Sequence, residues 1–143
     1  MWKAAVLAGA VLAGCAPAPK REALVAGESP CMSMRFDVYF VENQARLTDA
    51  AATAVEAAAG QVRDCDVRRV RILGLADAVG AAQTNLTLSQ QRAREAARAL
   101  AAAGLPEPAF DVAAAGDAGA LTADGAEEPL RRRTEVVIEA YPR

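Results

Sequence analysis

Along this chain hydrophobic positions first alternate with polar ones, then recur at helical spacing, then alternate again, and that succession predicts the elements. Phe36, Val38 and Phe40 alternate with Asp37 and Tyr39, which predicts a first strand with one buried face. Thr48 is placed to cap a helix, with Asp49 in its first turn, and Ala52, Val55, Ala59 and Val62 mark the core-facing stripe. In a second strand Val70 and Ile72 point one way and Arg69 and Arg71 the other, the arginines forming a solvated face. The apolar run ends in Gly74-Leu75-Ala76-Asp77-Ala78-Val79-Gly80, a stretch expected to turn on its two glycines. Ser89 is suited to cap a second helix that buries Ala93, Ala96, Ala97 and Leu100, with Gly104 ending it and Pro106 and Pro108 preventing its continuation. Phe110 to Ala115 is a weaker third strand, Gly116 to Pro129 a long loop and Thr134 to Ala140 the closing strand. The order β-α-β-α-β-β predicts an α+β two-layer sandwich, a mixed four-stranded sheet with helices on one face.

The N-terminal pattern is different in kind. Met1-Trp2-Lys3 gives a positive start, and Ala4 to Ala13 is an apolar run too short for a membrane span but of signal-peptide length. It ends in Leu12-Ala13-Gly14-Cys15, which resembles the bacterial lipobox; that resemblance implies a lipidated Cys15 as the first mature residue, and Ala16 after it implies the outer membrane. Residues 1–14 are then the lipoprotein signal peptide, 15–33 a proline-containing tether and 34–143 the domain.

Composition narrows the chemistry. With 143 residues, a formal net charge of −2 and pI about 5.2, the chain suits one modest domain and lacks the basic face that nucleic acid requires. It has no histidine, and its only lysines, Lys3 and Lys20, precede the domain. Histidine-based triads, mixed Cys/His zinc sites and a lysine nucleophile within the domain are excluded. A hydrolase working through paired carboxylates needs two convergent acids, and only Asp77 is so placed. The expectation is a binding protein without cofactor or metal.

A carboxylate on a loop and a guanidinium on the following helix can face one cleft, so Asp77 and Arg92 form a candidate receptor for a zwitterion; the alternative is a structural ion pair. A helix N-terminus at Ser89 would add backbone N–H groups. Gly74, Asp77 and Gly80, followed by Asn85, Leu88, Ser89, Arg92 and Ala93, stand in the register of the OmpA-like peptidoglycan-binding domain, which the chain resembles from about Phe36 to Ile138. That resemblance implies non-covalent binding of peptidoglycan through the ammonium and carboxylate of diaminopimelate, with Asp77, Asn85 and Arg92 as contacts. The family's terminal block is echoed by Arg131-Arg132-Arg133-Thr134-Glu135, which adds Arg132 as a contact, although three consecutive arginines also fit a solvated face. The family's His-Thr before the aspartate is Leu75-Ala76 here, removing two polar groups from the expected cleft rim. Its acid after the first strand's phenylalanine is Val41, and alternation points the neighbouring Glu42 to the other face.

Cys31 and Cys65 each precede a predicted strand by about five residues. If those strands lie side by side, the thiols meet at one edge of the sheet, and export favours a disulfide over two buried thiols. The resulting expectation is an outer-membrane lipoprotein, its domain in the periplasm, holding the membrane to peptidoglycan. The rival expectation is a degenerate domain of the same fold that binds other envelope proteins instead.

Overall fold

The computed structural model describes residues 31–128 and 131–143; Cys15, the signal peptide and most of the expected tether lie outside them. The elements are β1 (Met34–Tyr39), α1 (Asp49–Gln61), β2 (Asp66–Leu75), α2 (Ala82–Ala102), a 3-10 turn at Glu107–Ala109, β3 (Phe110–Gly116) and β4 (Arg133–Tyr141). They build the mixed α+β sandwich that the pattern predicts, with sheet order β1-β4-β2-β3. β4 runs antiparallel to both β1 and β2, and β2 and β3 are parallel, joined by the α2 crossover.

β1 and β2 are therefore not side by side: β4 lies between them, and both run in one direction. Their starts share one end of the sheet, which is enough to bring Cys31 and Cys65 together. The two form a disulfide with Cα atoms 5.5 Å apart, closing a separation of 34 residues. In the chain-entropy account a loop of that length stabilises the fold by about 3–4 kcal/mol.

Small side chains set the spacing of the two layers. Val38, Val70, Ile72, Val136 and Ile138 from the sheet meet Ala51, Val55, Ala59, Ala93, Ala96 and Leu100 from the helices, all nearly inaccessible. α1 starts where expected, with Thr48 Oγ1 accepting from the Ala51 amide at 3.2 Å. On the opposite face of the sheet Arg35 pairs with Glu135 at 2.8 Å and Arg71 with Glu139 at 3.4 Å, solvated pairs of small energetic weight.

Two sequence expectations change here. α2 begins at Ala82, seven residues before Ser89, with Ala81 as its uncapped start. Alanines 81 and 82 extend a helix readily, and Gly80, at φ +99°, makes the turn that delivers the chain to it. Ser89 is an interior residue with no exposure; its hydroxyl donates to the Leu86 carbonyl at 2.8 Å and accepts from the Gly116 amide at 3.0 Å. Gly74 is not a turn residue either. It lies within β2, where a Cβ would stand 2.0 Å from the Ser89 carbonyl oxygen and 3.1 Å from Ala93 Cβ. The glycine is what lets helix and strand touch. Gly74→Ala should therefore lower stability by about 3 kcal/mol, the upper end of overpacking costs, measured as a shift in denaturant midpoint without change of slope.

Candidate functional site

Strands β1, β2 and β3 finish, and β4 starts, at the end of the sheet opposite the disulfide. Asp77 lies on the loop just beyond β2. One carboxylate oxygen accepts from the Val79 amide at 3.3 Å, which fixes the side chain, and the other stands 3.6 Å from Arg132 Nε. Arg132 immediately precedes β4, with its side chain a third exposed, and its Nη1 is 3.4 Å from the Glu42 carboxylate. Two carboxylates thus flank one accessible guanidinium.

Glu42 reaches this position because strand alternation has stopped. β1 ends at Tyr39 and the chain turns, with the Gln44 amide donating to the Val41 carbonyl at 3.1 Å and Asn43 at φ +53°. The Glu42-Asn43-Gln44 cluster was the available signal, since asparagine tolerates this left-handed conformation. Val41, in the place of the family's acid, is half exposed beside it.

Arg92 occupies a different place from the cleft-facing one expected of it. It is the largest fully buried side chain among the described residues, with no solvent exposure. Nε donates to the Gln44 carbonyl at 2.9 Å, Nη1 to the Leu75 carbonyl at 3.2 Å and Nη2 to the Val41 carbonyl at 3.2 Å. The Phe40 ring stacks 5.3 Å from its guanidinium carbon. Desolvation pulls its pKa below the ordinary arginine value; Asp77 opposes that shift and Arg132 adds to it. Arg92 and Asp77 therefore do belong to one electrostatic group, but Asp77 forms its ion pair with Arg132.

Asn85 is also buried, and its amide nitrogen donates to Asp117 on the β3–β4 loop at 3.1 Å. It ties the start of α2 to that loop, which is further held by Arg131 donating to the Ala118 carbonyl. Leu75 and Ala76, expected on the rim, are interior residues of 3% and 1% exposure, the Ala76 amide donating to the Gly116 carbonyl at 2.8 Å. Apolar side chains there fill space under the site and take nothing from its mouth. Asp117 and the role of Arg131 escaped the sequence reading, because both depend on how a long loop folds back.

The family model for the OmpA family matches residues 39–134, two-thirds of the chain and the whole of this constellation. The chain belongs to the OmpA family. This OmpA-family domain is similar to the peptidoglycan-associated lipoprotein from Burkholderia pseudomallei, with 25% identity over 71% of this chain and 88% of that one and a TM-score of 0.60. It shares its fold with the OmpA-like domain of FopA1 from Francisella tularensis (18% identity, 80% and 79% covered, TM-score 0.65). It also shares it with the periplasmic domain of Helicobacter pylori MotB (13% identity, 77% and 76% covered, TM-score 0.60). None of the curated proteins matches it.

The burial of Arg92 changes what its removal should do. Arg92→Ala would leave three carbonyls without their donor and a cavity in the domain, so stability should fall by about 3 kcal/mol or more. Arg92→Lys, a single point donor in place of a planar fork, should also lose stability, though less. Chemical denaturation of the three proteins checks the order.

Proposed function

We propose that this domain binds peptidoglycan non-covalently, by the zwitterionic end of diaminopimelate in the stem peptide. The observation that carries the reading is the Glu42–Arg132–Asp77 cluster at the mouth of the site. Asp77 and Glu42 accept the ligand ammonium, and Arg132 takes its carboxylate. With Arg92 beneath, two carboxylates and two guanidiniums give a site of no net charge, matched to a ligand of no net charge. Arg92 and Asn85 act as positioning residues: Arg92 holds the backbone on either side of Glu42 and just before Asp77, and Asn85 holds the loop opposite. Family membership and the similarity to a peptidoglycan-associated lipoprotein support the same ligand class. The rival reading, a degenerate domain that binds envelope proteins, draws on Leu75, Ala76 and Val41; Leu75 and Ala76 are interior, and beside the half-exposed Val41 the Glu42 carboxylate supplies an acid at the cluster.

Asp77→Ala and Arg132→Ala should each weaken co-sedimentation with purified sacculi at least tenfold while the circular dichroism spectrum stays native, since each strands an opposite ligand charge. Wild-type binding should fall as salt rises. Sacculus binding unchanged in Asp77→Ala would overturn the placement of the site.

The reading extends to the envelope. We propose that Cys15 carries the lipid and anchors the chain in the outer membrane, with the domain in the periplasm, so that membrane and wall are joined through one polypeptide. Intact-mass analysis of the protein from its native membrane should show acylation at an N-terminal Cys15; an unmodified, water-soluble product would sink the anchor.

A further inference from the structure

A second surface lies away from this site, between α2 and the outer edge of β3. β3 is the last strand of the sheet, so among the described residues one side of its backbone has no neighbouring strand. Phe110, Val112 and Ala114 pair in register with Val70, Ile72 and Gly74 and so face the helix layer. α2 does not cover the edge completely, and Val112 stays 44% exposed. A groove of about 570 Å³ results, floored by Phe110 and Val112, walled by Ala97 and Ala101, with Arg94 and Arg98 on its rim and Glu107 closing the Phe110 end. Arg98 pairs with Glu95 on the helix surface, whereas Arg94 enters no ion pair among the described residues. Arg46, Gln91, Arg94, Glu95 and Arg98 line the adjoining hollow, where three cations outnumber one acid.

We propose that this groove docks an extended acidic segment of another protein, which adds a strand to β3 and sets alternate glutamate or aspartate side chains against Arg94 and Arg98. Spacing and charge both select that occupant. Residues four apart on a helix are separated by about 6 Å along its axis, and alternate residues of a strand by about 6.6 Å, so one face of an added strand meets both arginines in step. Glutamate methylenes would lie over Val112 and Phe110 while the carboxylates reach the guanidiniums. β3 has no lysine, proline or arginine; its only protections against edge pairing are one charge, Asp111, and a register shift at the Gly116 end, and Phe110 to Ala114 pair regularly. A second copy of this chain suits the groove poorly, because symmetric pairing through β3 would set Arg94 and Arg98 against their own counterparts. Strand addition of this kind draws affinity from the main chain and selectivity from alternate side chains.

The test uses the intact protein in non-ionic detergent and a fluorescent eight-residue peptide that alternates glutamate with threonine, read by anisotropy at low salt. The peptide should bind, and its counterpart with lysine in place of glutamate should not. The double variant Arg94→Glu/Arg98→Glu should weaken binding about tenfold or more, with sacculus co-sedimentation unchanged, which separates this surface from the peptidoglycan reading. Val112→Asp should weaken it as well. Failure of the peptide to bind, or equal binding by the double variant, would overturn the proposal. Competition by inorganic polyphosphate as strong as that of unlabelled peptide would overturn it too, because the groove would then respond to charge alone. Capture of a tagged copy by an untagged one, abolished by Val112→Asp, would assign the groove to a second copy and overturn it likewise.

Discussion

The site depends on a buried cation. Arg92 spends its guanidinium on carbonyls of Val41, Gln44 and Leu75, and those carbonyls belong to two separate segments, the turn after β1 and the end of β2. Val41 and Gln44 lie in the turn beyond β1, and Leu75 is the last residue of β2, paired with Gly116 on one side. A planar fork with several fixed donors can join them at one place, and a flexible ammonium cannot. Burying the charge costs solvation, and that desolvation lowers the proton affinity of the group. The charge is offset by carbonyl dipoles, by the Phe40 ring and by the nearby Asp77. What the arrangement secures is the separation between Glu42 and Asp77, the two acids that Arg132 spans.

A second constraint sits one layer below. α2 approaches β2 until the Ser89 carbonyl would collide with any side chain at position 74. The contact needs glycine on the strand and alanines on the helix, and it needs Ser89 to satisfy its own hydroxyl internally, which it does through Leu86 and Gly116. Because the helix starts seven residues earlier than its motif suggests, its N-terminal turn lies beside the Gly80 turn, and Asn85 and Ser89 become struts within the helix. The donors at the site mouth are side chains. The helix end expected at Ser89 is not among them.

Much of this was legible in the chain. Period-two and period-3.6 patterns located every strand and both helices, because each element buries one face against a single core. The cysteines were legible for a related reason: both precede strands that run in one direction, and that holds whether or not the strands are neighbours. What resisted reading was polarity in buried positions. Ser89, Asn85 and Arg92 look like a cap and two ligand contacts when only residue type is known, and all three are interior. Glu42 failed for the opposite reason, since alternation was carried past the residue at which the strand stops. Whether a polar side chain meets solvent or a backbone carbonyl is decided by long-range packing, as in Arg92 with Gln44, and local pattern does not contain it.

The disulfide has a mechanical meaning if the chain is pulled. Cys31 joins Cys65 at the foot of β2, and Asp77 follows the head of that same strand. Tension arriving from the N-terminal side would pass through the sulfur atoms directly into β2, travel roughly 33 Å along an extended backbone and leave beside the site. β1, α1 and the hydrogen bonds between β1 and β4 would carry almost none of it. Force along β2 also loads its bonds to β4 and β3 in shear, where many must fail together, instead of one after another as in peeling. With the sulfurs reduced, the same pull would enter at Met34 and load β1 in shear against β4 alone, so half as many neighbours as β2 has would resist it.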